Sequence, residues 1–161
     1  MKLLLENWRE FLNEKLVLMP GPNGWDLYAD LVANAYLAAP KFESRAVAHF
    51  EALTPFVEKM FQRIQSRVNV EFVDYYPYET AEDLRQDVQQ TGTMKIATIG
   101  SDHAIFDVIT NAKFRAVHDY MSHVQAIGSR GTDFTLRGEL AAYNVHLKTV
   151  PQEAIPALFT E

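Results

Sequence analysis

Apolar residues recur every three or four positions along most of this chain, and that spacing predicts a largely helical protein. The longest periodic run extends from Lys41 to Val68. Pro55 lies inside it, so we expect either a kink or two helices with Thr54 as the cap of the second. The run is long enough to form one wall of a hydrophobic core.

Two further helices are predicted before this run. A turn at residues 19–24 separates an N-terminal amphipathic helix from a helix over residues 25–37. The apolar face of the first helix consists of Leu4, Trp8, Phe11 and Leu12. Its three glutamates would oppose an anionic lipid surface, so we expect this helix to dock on the protein and not on a membrane.

The spacing of apolar residues changes to every second position at Asn69–Tyr76, which predicts a β-strand. Thr93–Gly100 is a second strand candidate. With only two or three candidates, we expect a small antiparallel sheet packed on a helical body. The predicted fold class is therefore α+β and predominantly helical.

A helix is predicted between the two strands. Thr80 with Asp83 resembles a capping box, in which each residue's side chain accepts a hydrogen bond from the other's backbone N–H. The helix should run from about Ala81 to Gln90, and Gly92 should end it.

The composition narrows the class of protein. A chain of 161 residues fits a single domain, with N-terminal helices at 1–68 and a second part at 69–161. The net charge of −6 and the absence of a basic stripe argue against a nucleic-acid partner. No apolar run is long enough to span a bilayer. The absence of cysteine fits a reducing cytoplasm.

Polar residues concentrate on one side of a helix predicted from about Ile109 or Asn111 to Ala126. At about 100° per residue, one arc of about 140° holds Arg115, His118, Asp119, Ser122 and His123. Asp119 and His123 are i, i+4 neighbours and can touch. His118 and His123 are five positions apart, so we expect their side chains to point about 140° away from each other.

A second helix, predicted over Phe134–Lys148, carries Glu139 and His146 on one line. The loop Gly128–Asp133 between the two helices is short, and helices joined in this way tend to lie antiparallel and adjacent. We therefore expect the polar arc to meet the line of Glu139 and His146 in one pocket.

Imidazole and carboxylate ligands of this kind suit Zn²⁺, Fe²⁺ or Mn²⁺. The predicted metal ligands are Asp119, His123, Glu139 and His146. The predicted catalytic residues are His118, Asp119, Arg115 and Glu139, with His118 and Arg115 facing an anionic substrate. A metal ion with an open position lowers the pKa of a bound water to about 7, so the predicted activity is metal-dependent hydrolysis.

The same residues allow a non-catalytic interpretation. A fully satisfied polar network can hold two helices together without any chemistry, and Arg115 with Asp119 would then be an ordinary i, i+4 ion pair. The abundant aromatic residues would in that case form a surface for self-association or for another partner, which leaves a homo-oligomer open. These aromatics are Phe72, Tyr75, Tyr76 and Tyr78.

Two blocks of the sequence follow a recognisable pattern. Asn111–His123 fits N-x-x-F-R-x-V-H-D-x-x-G-H except for Ser122 in place of glycine, and Gly138–His146 fits G-E-x-x-A-Y-x-x-H. In these blocks, and in Pro77–Val88 and Asp102–His103, the chain resembles a family of proteins from tailed bacteriophages and prophages. That family is also found as a domain of large phage polypeptides. The resemblance implies a phage-type protein in the cytoplasm of a bacterial host and groups the polar residues as a set, but it implies no particular reaction.

Overall fold

A computed structural model describes residues 44–125 and 132–158, together with residues 30, 31, 34, 35, 37 and 38. The chain divides into two compact units, Met1–Ala46 and Val47–Glu161. In the first unit the isolated described residues are helical and Ser44–Ala46 forms a 3-10 turn. The predicted N-terminal helix with Leu4, Trp8, Phe11 and Leu12 and the turn at 19–24 lie outside the described residues, as does much of the helix predicted over 25–37. All elements labelled below belong to the second unit.

Helix α1, Val47–Gln65, is a single helix although Pro55 lies inside it. Its buried face packs in the core on both sides of Pro55 and consists of Phe50, Leu53, Val57, Phe61 and Ile64. The alternative with two helices capped by Thr54 is wrong, because the Thr54 hydroxyl donates to the Phe50 carbonyl within the same helix at 3.0 Å.

The next three elements are strand β1, Asn69–Val73, helix α2, Ala81–Thr91, and strand β2, Thr93–Ala97. The predicted capping box of α2 is confirmed, because Thr80 and Asp83 accept each other's backbone N–H. Gly92 ends the helix with a φ of 69°, in the left-handed region that favours glycine. This segment is the part of the fold that local sequence signals predicted best.

The two strands pair in parallel, with Asn69 opposite Thr93 and Val73 opposite Ala97. The prediction of an antiparallel sheet is therefore wrong. Helix α2 carries the chain back to the end of the sheet where β1 starts, so β2 runs in the same direction as β1. An antiparallel pair would need only a short turn between the two strands. The described residues are mostly helical and contain this one two-stranded sheet.

Helix α3, Val108–His118, packs on α1 across the core. Asp107 caps its start by accepting the N–H groups of Ile109 and Thr110. Lys113 of α3 forms an ion pair with Glu58 of α1 at 2.7 Å. The centre of the core contains the fully buried side chains Leu53, Val57, Leu84, Met94, Ile96 and Val117.

Beyond α3 the chain continues as a π-helix, Asp119–Val124, here called the π segment. Helix α4, Leu136–His146, packs against it. A 3-10 turn, Gln152–Ala154, and a short helix α5, Ile155–Leu158, close the described chain and pack on α1. Among the described helices, none has both the length and the apolar character needed to cross a bilayer.

Candidate metal site

The π segment brings His118 and His123 together. Its hydrogen bonds join residues five positions apart, as between the Gln125 N–H and the Tyr120 carbonyl at 2.6 Å. In this wider turn a residue five positions further on returns to nearly the same side of the helix. The two Nε2 atoms are 3.1 Å apart. The expectation that these histidines diverge by about 140° is wrong, because it assumed regular α-helical geometry.

Glu139, in the first turn of α4, reaches the same point. Its Oε2 lies 3.0 Å from His118 Nε2, and its Oε1 lies 3.5 Å from His123 Nε2. The side chain of His123 is 1% exposed, that of His118 25% and that of Glu139 41%. His123 therefore lies at the buried end of the group, and Glu139 lies at the end that is open to solvent.

The spacing of these three side chains matches metal coordination. With bonds of about 2.0–2.1 Å, two ligands of a tetrahedral zinc ion are separated by about 3.3–3.4 Å. The separations found here, 3.1 Å between the imidazoles and 3.0 and 3.5 Å from them to the carboxylate, lie around that value. His118, His123 and Glu139 thus form one approximate face of a tetrahedron.

The hydrogen bonds of His123 assign its tautomer. Its Nδ1 lies 3.2 Å from the Thr132 carbonyl and 3.0 Å from the Thr132 hydroxyl. That hydroxyl donates its single hydrogen to the Ser122 carbonyl at 2.9 Å, so the proton between Thr132 and His123 belongs to Nδ1. The unprotonated Nε2 then points its lone pair toward His118 and Glu139. Metal-bound histidines have the same arrangement, in which one ring nitrogen donates a hydrogen bond and the other binds the metal.

Asp119 adds a second carboxylate. One ligand atom each from His118, Asp119 and His123 lies within 4.8 Å of the other two, so these residues could hold a metal ion. Burial raises the pKa of Asp119 to about 6, with the positive charge of His118 acting against this and the charge of Glu139 adding to it. Asp119 also lines a cavity of about 270 Å³ next to the group.

The charges of the two central histidines differ. Burial by itself would lower the pKa of His118, but its hydrogen bond to Glu139 and the charges of Asp119 and Glu139 raise it above the ordinary value. Burial and the positive charge of His118 lower the pKa of His123. His118 therefore holds a proton more tightly than His123 does, and a metal ion that binds here must displace that proton.

His146 lies behind this group. Its Nε2 is 3.3 Å from the hydroxyl of the fully buried Ser122, and its ring stacks on His118 with centroids 5.5 Å apart. Its Nδ1 is buried and has no hydrogen-bond partner among the residues that the structure describes. Burial, with the charges of His118 and His123, lowers the pKa of His146 to about 4. Of the predicted ligands, the structure brings Asp119, His123 and Glu139 together with His118, and it places His146 against the His118 ring.

Arg115 has a different partner from the one expected. Its Nη1 donates to the carbonyls of Ala97 and Ile99 at 3.2 and 3.0 Å, and its Nη2 to that of Gly100 at 2.6 Å. It forms no ion pair with Asp119 or with any other carboxylate of the described chain. Arg115 thus anchors the end of β2 while its charge stays uncompensated by a contact.

Sequence reasoning missed three residues that support His123. Thr132 binds its Nδ1, and Arg85 donates to the carbonyls of both His123 and Thr132 at 3.1 and 3.2 Å. The Phe134 ring meets the His123 ring edge-on, with centroids 4.7 Å apart. No local pattern marks these residues, because each contact joins separate parts of the chain.

No known protein family, curated protein or solved structure matches this chain. The resemblance to the tailed-phage family therefore stays a prediction.

His146 should make stability dependent on pH in the metal-free protein. Its pKa is about 4 in the folded chain and about 6.5 in an unfolded one. Between these values the unfolded chain binds the proton more readily, so stability is lost as the pH falls. From about pH 7.5 to pH 5 this loss should be about 2 kcal/mol. Urea denaturation at both pH values measures it.

His146→Leu is the comparison, because it removes this titration. The raised pKa values of His118 and Asp119 act in the opposite direction, since the folded state holds their protons more tightly. They do so in both proteins, so the difference between the two isolates His146. An equal loss of stability in wild type and variant would contradict the prediction.

Proposed function

We propose that this protein is a metal-dependent hydrolase whose divalent ion is held by His118, His123 and Glu139. The observation that supports this most is the convergence of the two Nε2 atoms and the carboxylate at 3.0–3.5 Å, with the His123 lone pair turned toward them. Two imidazoles and one carboxylate are a donor set of catalytic zinc sites, and the same set suits Fe²⁺. Zinc is therefore the first metal to test.

The exposure of the group supports catalysis over a closed structural site. Structural zinc is normally enclosed by four protein ligands, whereas catalytic zinc has three and keeps one position for water or substrate. Glu139 is 41% exposed, so the fourth position would face solvent. A water bound there would be a nucleophile near neutral pH.

Asp119 is the proposed proton acceptor. Its carboxylate lies within 4.8 Å of a ring nitrogen of each histidine, close enough to reach a water bound beside them. It would take the proton of that water as the oxygen attacks an electrophilic carbon or phosphorus of the substrate. His146, with its pKa lowered by burial, packs on His118 and would hold that ring in place.

Metal analysis of purified protein tests the proposal. Protein exchanged with Zn²⁺, Fe²⁺ or Mn²⁺ and then desalted should retain about one ion per chain, and His123→Ala should retain almost none. Ester and phosphoester hydrolysis should disappear with a chelator and return with the metal. His49→Ala is the matched control, because His49 lies on α1 and its Nδ1 contacts the Glu153 carbonyl.

A non-catalytic network is the second candidate function. The contact of Glu139 with His118, and the bonds from Thr132 and Arg85, would by themselves hold α4 and α2 to the π segment. In that case His123→Ala lowers the melting temperature while the wild type binds no metal. This outcome would overturn the hydrolase proposal.

A further inference from the structure

We propose that the cavity beside the metal site binds a small organic anion, a flat ring that carries a phosphate or carboxylate group. As a substrate site the cavity rests on the hydrolase function proposed above. As a binding site it stands on its own geometry, and it can be tested without any metal.

Two of the residues that line the cavity also belong to the candidate metal site or contact it. It has a volume of about 270 Å³ and is lined by Tyr76, Tyr78, Lys95, Arg115, Asp119 and Phe134, among others. Asp119 is one of the residues that could hold the metal, and the Phe134 ring packs on His123. A molecule in the cavity would therefore lie next to the proposed reaction centre.

Arg115 provides the anion-binding group. A guanidinium has five N–H donors, and three of them go to the carbonyls of Ala97, Ile99 and Gly100. Its Nε–H and one N–H of Nη2 have no partner in the described part of the chain. Such a pair can bind two oxygens of one phosphate or carboxylate, and the three carbonyls already hold the guanidinium in position.

The second cation of the cavity is less available. Lys95 forms an ion pair with Asp87 at 2.9 Å, which offsets its charge. Asp119 opposes an anion when it is ionised, but a metal ion bound beside it would reverse the local charge. Anion binding is thus expected to depend on Arg115 in the metal-free protein and to strengthen when the carboxylate of Asp119 is removed.

Aromatic rings provide the rest of the recognition. Tyr76 is 72% exposed and Phe134 40% exposed, so both present ring surface to solvent at the edge of the cavity. The buried Ile96 adds an apolar side chain to the lining. Ligand pockets for drug-sized molecules measure roughly 300–1,000 Å³, so this smaller cavity suits a single ring with one acid group.

Isothermal titration calorimetry of the 161-residue chain in EDTA tests this inference with phenyl phosphate. Inorganic phosphate and phenol are the comparisons, since each lacks one half of the ligand. Phenyl phosphate should bind more tightly than either. Benzoate in place of phenyl phosphate shows which acid group is preferred.

Variants separate the two halves of the site. Tyr76→Ala should weaken phenyl phosphate about two- to tenfold, the value of one aromatic contact, and leave inorganic phosphate unchanged. Arg115→Lys keeps the positive charge but loses the paired N–H donors, so it should weaken the binding of phenyl phosphate and of inorganic phosphate. Asp119→Asn removes a negative charge, so it should strengthen the binding of both ligands. Tyr75→Ala is the control, because Tyr75 is 51% exposed but does not line the cavity.

Two results would overturn the inference: phenyl phosphate that binds no more tightly than inorganic phosphate, or equal effects of Tyr76→Ala and Tyr75→Ala. These results are independent of the metal analysis. If the protein binds zinc but not phenyl phosphate, the hydrolase proposal stands and this one fails. If it binds phenyl phosphate but no metal, the binding site stands without the hydrolase.

Discussion

Glu139→Gln is expected to lower the affinity for zinc at least about hundredfold, because it replaces the only anionic member of the proposed ligand set with a neutral amide. Removing a residue that merely supports a ligand costs about 10–100-fold in metal affinity, and loss of a ligand should cost no less. Competition with a chromophoric chelator measures the affinity. Glu79→Gln, which also removes an exposed carboxylate, should leave it unchanged.

The same variant should change the titration of His118. The pKa of His118 is above its ordinary value in spite of burial, because Glu139 accepts its hydrogen bond and contributes negative charge. Without that carboxylate only the charge of Asp119 still opposes the effect of burial, so the pKa of His118 should fall, which NMR of the imidazole protons in metal-free protein would show. An unchanged zinc affinity in a folded Glu139→Gln protein would exclude Glu139 as a ligand and leave His118, Asp119 and His123 as the group.

Gly138→Ala is expected to destabilise the protein by about 3 kcal/mol, the upper part of the range for overpacking in a confined site. A Cβ on Gly138 would fall well inside van der Waals contact with the carbonyl group of Asp133, which is backbone and has little freedom to move. The start of α4 would have to shift and would carry Glu139 away from His118. Urea denaturation measures the loss of stability, and the zinc assay should show a loss of affinity with it.

Ala141→Gly provides the comparison for this substitution. Ala141 is exposed in the middle of α4, where a change to glycine costs about 1 kcal/mol through helix propensity alone. By propensity, Gly138→Ala would therefore stabilise the helix by a similar amount. A Gly138→Ala protein as stable as wild type would show that Asp133 does not confine this position.

Local signals in the sequence were sufficient for α2. The capping box of Thr80 and Asp83 and the left-handed Gly92 involve groups within a few residues of each other, so they could be recognised without the fold. The parallel direction of the two strands could also be predicted from the order of the elements. A strand, a helix and a second strand in succession are typical of parallel pairing, and this order predicts the sheet better than the small number of strands does.

The π segment had no such signal. Its apolar spacing, with the buried Met121 between Val117 and Val124, reads as an ordinary α-helix, and the wider hydrogen bonding appears only in the fold. The separation of His118 and His123 was predicted incorrectly for this reason alone. Their pairing is the feature on which the candidate metal site depends.

The sequence by itself determined that His118, Asp119 and His123 lie on one helical stretch and that Glu139 lies on a second helix, because side-chain placement along a helix depends on spacing. Only the tertiary structure decided which of them meet. Thr132 assigns the tautomer of His123, Arg115 turns to the end of β2, and His146 packs behind His118. Each of these contacts joins segments distant in sequence. Their energies depend on the burial of the groups and on the distances between charges, which are set only once the chain has folded.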